Sequence, residues 1–133
     1  MSTRETLQPP GWPRPSGYSN GVMAQGRQVF IAGQVGWDPH SQRFTSATLS
    51  IQAAQALRNV LSVLAEAGGN PEHIVRMTWY LTSRAEYIAQ LKEIGAAYRE
   101  IMGKHFPAMS AFEIAALIEP QAKVEIEATA VIP

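Results

Sequence analysis

Lys123-Val124-Glu125-Ile126-Glu127-Ala128 is the stretch of sequence that decides the fold. Apolar and polar residues alternate through it, which is the period-two pattern of a strand whose sheet has one buried face. The alternation continues to Ile132, so we predict a strand from Lys123 to Ile132. Its two carboxylates then point the same way, away from the core.

Working back along the chain, apolar spacing and turn residues place the other elements. Ala54, Leu57, Leu61 and Leu64 have helical spacing, and Ser83 with Glu86 forms a capping box at a helix start. The predicted elements before the last strand are two strands between Tyr18 and Gly36 with a turn at Gln25-Gly26-Arg27, a helix over Leu49–Ala67, a strand over Ile74–Leu81, a helix from Ser83 to Gly103, and a strand over Ser110–Leu117.

The order ββαβαββ predicts an α+β two-layer sandwich with two helices on one face of a single sheet. The other face of the sheet is then uncovered in a monomer. Thr78, Tyr80, Glu125 and Thr129 on that face are polar without being strongly charged, which suits a partly buried interface in a symmetric oligomer.

Composition limits the classes of function. The 133 residues fit one domain, 1–133, and the 11 basic and 11 acidic residues balance, so neither nucleic acid nor an anionic membrane is an expected partner. The chain has no cysteine, which excludes disulfides and thiolate chemistry. No apolar run approaches the roughly 20 residues that span a bilayer, and we expect a cytoplasmic protein.

The first 16 residues form a separate, proline-rich arm. Leu7 to Ser16 contains four prolines, which disfavour helix and strand pairing, so we predict an extended N-terminal arm over residues 1–16. Trp12 within the arm should pack against the domain or against a neighbouring subunit.

The common enzyme motifs are missing from the sequence. His40, His73 and His105 have no i, i+4 pairing that would place two imidazoles on one metal, so no metal site is predicted. There is no nucleophile elbow and no phosphate-binding loop either.

Three further segments carry a family resemblance together with the Glu-x-Glu strand: Gly17-Tyr18-Ser19-Asn20, Ile31-Ala32-Gly33-Gln34 and Phe106-Pro107-Ala108-Met109-Ser110. Over nearly its whole length the chain resembles the RidA family, also called YjgF/YER057c/UK114. The resemblance implies a chorismate-mutase-like (RidA-type) fold, a homotrimer, and three small-molecule clefts that are each lined by two subunits. It also implies hydrolytic deamination of imines or enamines without a cofactor.

The resemblance also implies roles for particular residues. Glu125 matches the glutamate that orients the attacking water, although alternating carboxylates on a last strand are just as often a solvated face. Tyr18 matches a tyrosine that reaches over the ligand, and it could instead be a core phenol. The backbone at Ala32 and Gly33 matches a ligand-binding segment, and Gly33 can also mark a bulge.

Position 109 departs from the family pattern. Met109 stands where the deaminating members have an arginine that grips the substrate carboxylate, while Gly95 and Ala111 stand where many relatives have asparagine and cysteine. A thioether supplies neither the charge nor the fork geometry of a guanidinium, and methionine is usually a gap-filling core residue. Arg14, Arg76 and Arg99 are the candidate replacement cations.

These matches predict an imine or enamine deaminase with an atypical substrate preference, in which Glu125 is catalytic. The predicted substrate-binding residues are Tyr18, Ala32, Gly33, Gly95, Met109 and Ala111. The alternative is a non-catalytic small-molecule-binding or regulatory trimer. A ribonuclease is the least supported reading, because RNA affinity rests on basic groups and the net charge is zero.

Overall fold

The alternating strand lies near the middle of the main sheet in a computed structural model, which describes residues 3–133. The strands are β1 Arg4–Leu7, β2 Gly21–Ala24, β3 Arg27–Val35, β4 Ile74–Leu81, β5 Ala108–Glu113 and β6 Val124–Ile132. The α-helices are α1 Leu49–Glu66, α2 Arg84–Ala89 and α3 Leu91–Met102, and a 3-10 turn covers Pro71–His73.

The main sheet has four strands in the order β3-β6-β4-β5. β6 runs antiparallel to both neighbours, and β4 runs parallel to the edge strand β5, so the sheet is mixed. Because α1 packs on β3 and β6 and α3 packs on α1, the helices cover one face. The predicted α+β two-layer architecture is therefore confirmed.

The inner face of the sheet forms the core with the helices. Every second residue of β6, from Val124 to Ile132, is buried, and Leu57 and Leu64 of α1 are fully buried against this face. Burying a side chain of this size stabilises the fold by about 1.5–3 kcal/mol. The outer face is open in the single chain, where Phe30 is 74% exposed and Phe112 is 52% exposed.

The predicted boundaries hold where periodicity is strong. β4 has the predicted bounds, α1 ends one residue before its predicted end, and Gly68 follows it with φ 79°, as the glycine stop signal requires. At Ser83 the side chain accepts a hydrogen bond from the backbone N–H of Glu86 at 3.1 Å, so the predicted cap is present.

The predicted second helix is interrupted. Its pattern from Ser83 to Gly103 is divided at Gln90, whose φ of −109° and ψ of 16° separate α2 from α3. The Gln90 side chain accepts a hydrogen bond from the backbone N–H of Ser50 at 2.9 Å, in the first turn of α1. The break therefore lets one helix cap the start of another.

Three strand predictions are corrected. β1 was missed altogether, and β2 pairs with β1 rather than with β3 across the turn at Gly26. The strand predicted over Ser110–Leu117 is β5, which begins two residues earlier and ends at Glu113.

Part of the predicted N-terminal arm pairs with the domain as a strand. Residues 8–15 contain no strand or helix, as the prolines predict, but residues 4–7 pair with β2. Trp12 is 59% exposed, so it does not pack into the described part of its own chain. Its packing against a neighbouring subunit remains a prediction.

Within residues 3–133, the structure contains no helix with the length and apolarity needed to cross a membrane.

Candidate functional site

A cavity of about 670 Å³ lies beside the edge strand β5 on the helix side of the sheet. We call it the β5 cavity. The sheet lines it with Trp79, Met109, Ser110 and Ala111. The helices line it with Tyr87, Leu91, Ile94, Gly95, Tyr98 and Arg99. Residues 16–18 and Phe106 complete its wall.

Aromatic contacts make the wall of the β5 cavity rigid. Trp79 meets Tyr87 edge to face with ring centroids 6.4 Å apart, and Tyr98 stacks on Phe106 at 5.6 Å. The Tyr98 hydroxyl donates a hydrogen bond to the carbonyl of His105 at 2.6 Å, and burial raises the pKa of Tyr98. These residues give the cavity an aromatic wall beside its polar groups.

The segment before β2 is held at the mouth of the cavity by residues from far along the chain. The backbone N–H of Ser19 donates to the carbonyl of Pro107 at 3.0 Å, and the Ser19 hydroxyl donates to the carbonyl of Phe106. Ser19 also forms a parallel bridge with Ala108, the first residue of β5. This attachment brings Tyr18, which is 40% exposed, to the cavity.

Four of the predicted substrate-binding residues meet in the β5 cavity: Tyr18, Gly95, Met109 and Ala111. Met109 lies opposite Met77 of β4 in the parallel register and packs on the core. Because it also lines the cavity, both interpretations of this methionine, core filler and ligand contact, are compatible with its place.

The three candidate cations occupy different places. Arg99 lines the β5 cavity and is the one charged residue among its fourteen described lining residues. Arg76 instead lines a 410 Å³ depression on the outer face of the sheet, together with Glu127. Arg14 lies exposed in the N-terminal arm and lines neither.

One buried donor in the cavity wall is unsatisfied. The indole Nε1–H of Trp79 has no hydrogen-bond partner within the described chain, although the side chain is only 3% exposed. An unpaired buried donor costs about 1–3 kcal/mol, and such groups are uncommon in native structures. The indole nitrogen is itself buried, so the donor that the cavity wall offers to an acceptor is the Arg99 guanidinium.

The second group of predicted residues lies on the outer face of the sheet, and we call it the Glu125 surface: Ala32, Gly33 and Glu125. Between Ile31 and Gln34, three residue steps of β3 face two of β6, so Ala32 and Gly33 form a β-bulge. A Cβ atom on Gly33 would overlap the Glu125 carboxylate. The bulge interpretation of Gly33 is thus confirmed, whereas ligand binding by its backbone stays a prediction.

The two carboxylates of β6 differ in their partners. Glu127 accepts a hydrogen bond from the Tyr80 hydroxyl at 2.6 Å, and this bond raises the pKa of Tyr80. Glu125 is half-buried and makes no hydrogen bond or ion pair with any residue from 3 to 133. Of the pair, Glu125 is the carboxylate that is free to act on a water or a ligand.

A single chain does not bring the two groups together. β5 is one edge of the sheet, whereas Gly33 lies on the opposite edge strand, β3, and Glu125 lies beside it on β6. The β5 cavity opens on the helix side, and the Glu125 surface faces the other way.

Several residues of the cavity wall escaped the sequence analysis as site residues. Tyr87, Leu91, Ile94 and Tyr98 have helical spacing, and their stripe predicts helix packing on the core. A cavity beside these helix residues leaves their spacing unchanged, so the sequence gives no sign of it.

No metal site is found among the described residues. Residues 3–133 contain no group of three or more His, Cys, Asp or Glu side chains that could hold an ion.

Comparison with known proteins gives consistent results. The family model described as Endoribonuclease L-PSP matches residues 13–132. The chain is 32% identical to the human protein named 2-iminobutanoate/2-iminopropanoate deaminase over 86% of this chain and 79% of that one.

Solved structures of the Rid type share the fold. A conserved Rid-family protein, YyfB from Yersinia pestis, is 32% identical and superposes with a TM-score of 0.86 over 98% of this chain and all of that one. The structure of Escherichia coli TdcF with bound serine is 28% identical, with a TM-score of 0.70 and full coverage of both chains.

Proposed function

This chain belongs to the endoribonuclease L-PSP family, to which the RidA proteins belong, and we propose that it hydrolyses a reactive imine or enamine to a carbonyl compound and ammonia. Relatives named 2-iminobutanoate/2-iminopropanoate deaminase at about 32% identity support an imine-deaminase role in the family. The substrate and residue roles below are part of the proposal.

The observation that carries the proposal is the unpaired carboxylate of Glu125. Glu127, two residues on, is held by the Tyr80 hydroxyl, whereas Glu125 lies over Gly33 without a partner within residues 3–133. A carboxylate that is half-buried and unpaired can bind a water molecule and accept its proton. General-base catalysis of this kind contributes typically about 10²–10⁴-fold.

The reaction needs no redox change. Glu125 accepts a proton from water while the water oxygen bonds to the imine carbon, and the π electrons of the C=N bond move to nitrogen. The proton then passes from Glu125 to that nitrogen, which gives a carbinolamine. Glu125 next accepts the hydroxyl proton of the carbinolamine and passes it to the amino group, so that the C=O bond forms as the C–N bond breaks and ammonia leaves. Imine and water are thus converted to ketone and ammonia, and the carboxylate is regenerated.

Two subunits would complete each site. Because the β5 cavity and the Glu125 surface lie on opposite edges and faces of one chain, a ligand in the cavity needs the Glu125 surface of a second copy. The exposed outer face, with Phe30 and Phe112, supplies apolar surface that such a contact would bury. A closed homotrimer provides three equivalent contacts of this kind.

The substrate should differ from the simplest imino acids. Met109 places a thioether beside Trp79 and Ile94, where the deaminating relatives are expected to present a guanidinium. The cavity of about 670 Å³ has room for a substrate with a larger apolar part than a methyl group.

The test is ammonia release from imines generated in place by an amino-acid oxidase, measured with and without the protein across amino acids of increasing apolar size. We expect the protein to accelerate release for at least one large apolar substrate, and Glu125→Gln to remove about 99% or more of the acceleration. Glu127→Gln is the matched control on the same strand. Equal rates with and without protein across the panel would contradict the proposal.

A non-catalytic binding trimer is the second candidate, and Met109 favours it because the substrate-gripping cation is missing from its expected strand position. This candidate predicts ligand binding in calorimetry without any turnover. It also predicts that Glu125→Gln leaves the affinity unchanged.

A further inference from the structure

The β5 cavity contains a cation, but on a helix rather than on the strand. Arg99 of α3 is its one charged lining residue among those described, across from Met109 of β5. We propose that Arg99 binds the anionic end of the ligand, so that the substrate class is a carboxylate-bearing imine with a sizeable apolar side chain. This inference rests on the proposed function of the same site.

The Arg99 guanidinium is available to a ligand. Within residues 3–133 the ion pair present is Lys123 with Glu86 at 2.8 Å, so no carboxylate of this chain neutralises Arg99. Its neighbours three and four positions away on the helix, Gly95, Ala96, Met102 and Gly103, are all uncharged. The guanidinium is exposed, so an anion from outside the chain can reach it without displacing a carboxylate.

Gly95 provides the space that the guanidinium uses. It lies one turn before Arg99 on the same helix, and a Cβ atom there would come within 3.3 Å of Nη1 of Arg99. That distance is slightly shorter than ordinary van der Waals contact, so a Cβ atom alone would require the end of the Arg99 side chain to move by a few tenths of an ångström, and a larger side chain would compete with the guanidinium for the same space. The backbone of Gly95 has no positive φ, so backbone conformation does not require glycine here.

The surroundings leave the Arg99 guanidinium accessible to a carboxylate. Arg99 is exposed, and the cavity beside it combines aromatic and aliphatic side chains with polar groups. A guanidinium binds a carboxylate through two parallel N–H···O bonds.

The position of Arg99 on α3 also favours a substrate with an apolar side chain. A cation at position 109 would grip a ligand from the strand, whereas Arg99 grips it from α3. The apolar Met109, Ile94 and Leu91 then remain to contact the rest of the ligand. The imine carbon would face the Glu125 carboxylate of the second copy.

The test compares a carboxylate with its uncharged counterpart. The probes are 2-oxo-4-phenylbutanoate and its primary amide, and the affinity of each for the full chain is measured by calorimetry or NMR titration. We expect the wild type to prefer the carboxylate by about tenfold or more, and Arg99→Met to remove that preference while leaving amide binding nearly unchanged. Arg58→Met, at an exposed arginine of α1 that does not line the cavity, is the matched control.

Gly95→Leu provides a second test that leaves the cation in the chain. It should reduce the carboxylate-to-amide preference severalfold or more, while the higher helix propensity of leucine raises thermal stability. A loss of preference together with a gain in stability cannot be ascribed to unfolding.

Three results would overturn the inference: no carboxylate binding by the wild type, no preference over the amide, or a preference that survives both Arg99→Met and Gly95→Leu. The proposed function is tested separately, because Glu125→Gln should stop turnover without changing the carboxylate preference. A protein that keeps the preference but deaminates nothing retains the Arg99 inference and loses the deaminase.

Discussion

The β5 cavity and the Glu125 surface differ in shape, charge and chemistry. The cavity is walled by helices and aromatic rings and contains a cation, whereas the Glu125 surface is an open strand face on which a carboxylate lies over a glycine bulge. Each has what the other lacks. Under the proposed function, one region binds the ligand and the other supplies the reactive group, so a single subunit would contribute half of two sites rather than the whole of one.

Mixing two inactive variants tests most strongly whether the cavity and Glu125 of one site come from different subunits. Ala111→Trp should fill the β5 cavity and Glu125→Gln should remove the base, so each variant alone loses the imine hydrolysis of the wild type. In trimers assembled from equal amounts of both, about a quarter of the clefts join an intact cavity to an intact Glu125, so roughly a quarter of the activity should return. Ammonia release from purified mixed trimers measures it.

A site formed within one chain would show no recovery in the mixed trimers. Unmixed trimers of each variant, pooled without exchange of subunits, serve as the control for that experiment.

Placing an arginine at position 109 tests how the cavity recognises the substrate carboxylate. Met109→Arg should raise the hydrolysis of 2-iminopropanoate by roughly tenfold to a few hundredfold, because a bidentate, charge-assisted contact is added for a small substrate. The gain should be larger in the Arg99→Met background, where the new cation has no neighbour to repel it. Initial rates of the wild type, Met109→Arg, Arg99→Met and the double variant measure the coupling between positions 99 and 109.

No gain in either background would mean that the Glu125 surface has lost its catalytic geometry. The deaminase proposal would then give way to the binding trimer.

The smallest expected effect tests how firmly the cavity wall is built. Tyr98→Phe should destabilise the fold by about 1 kcal/mol near neutral pH, since the carbonyl of His105 loses its donor. Because burial raises the pKa of Tyr98, its contribution is complete below the unfolded tyrosine pKa of about 10 and is lost as pH rises through the folded pKa. The cost of the substitution should therefore shrink above about pH 10.

Urea unfolding at pH 8 and at pH 10.5 checks this expectation. Tyr18→Phe is the control, because the Tyr18 side chain is 40% exposed and should change stability little at either pH. A cost for Tyr98→Phe that grows with pH would contradict the role given to this hydroxyl.

Strong periodicity made most of the fold predictable. The alternation in β6 and the apolar stripe of α1 each report a one-sided environment, so sequence alone placed both within a residue or two. β1 was missed because three of its four residues are exposed and no buried face imposes a pattern. The end of β5 was misplaced because Ile114 to Leu117 prolong its apolar run after the pairing with β4 stops at Glu113.

The site was harder to predict than the fold. Residues such as Tyr18 and Met109 were proposed from family motifs, and their place together in one cavity depends on Ser19 joining the start of β5. The stripe of α2 and α3 has the same spacing whether it meets a core or a cavity. Arg99 could be named only as one of three cations, because the sequence does not show which arginine lies beside the cavity.

The attachment of Ser19 to Phe106 limits when the cavity can form during synthesis of the chain. These residues are 87 positions apart, so the mouth of the cavity cannot form until four fifths of the polypeptide has emerged from the ribosome. Loop closures of that length slow the acquisition of native structure. During synthesis, β3 and α1 can meet early, while the ligand pocket waits for almost the last segment of the chain.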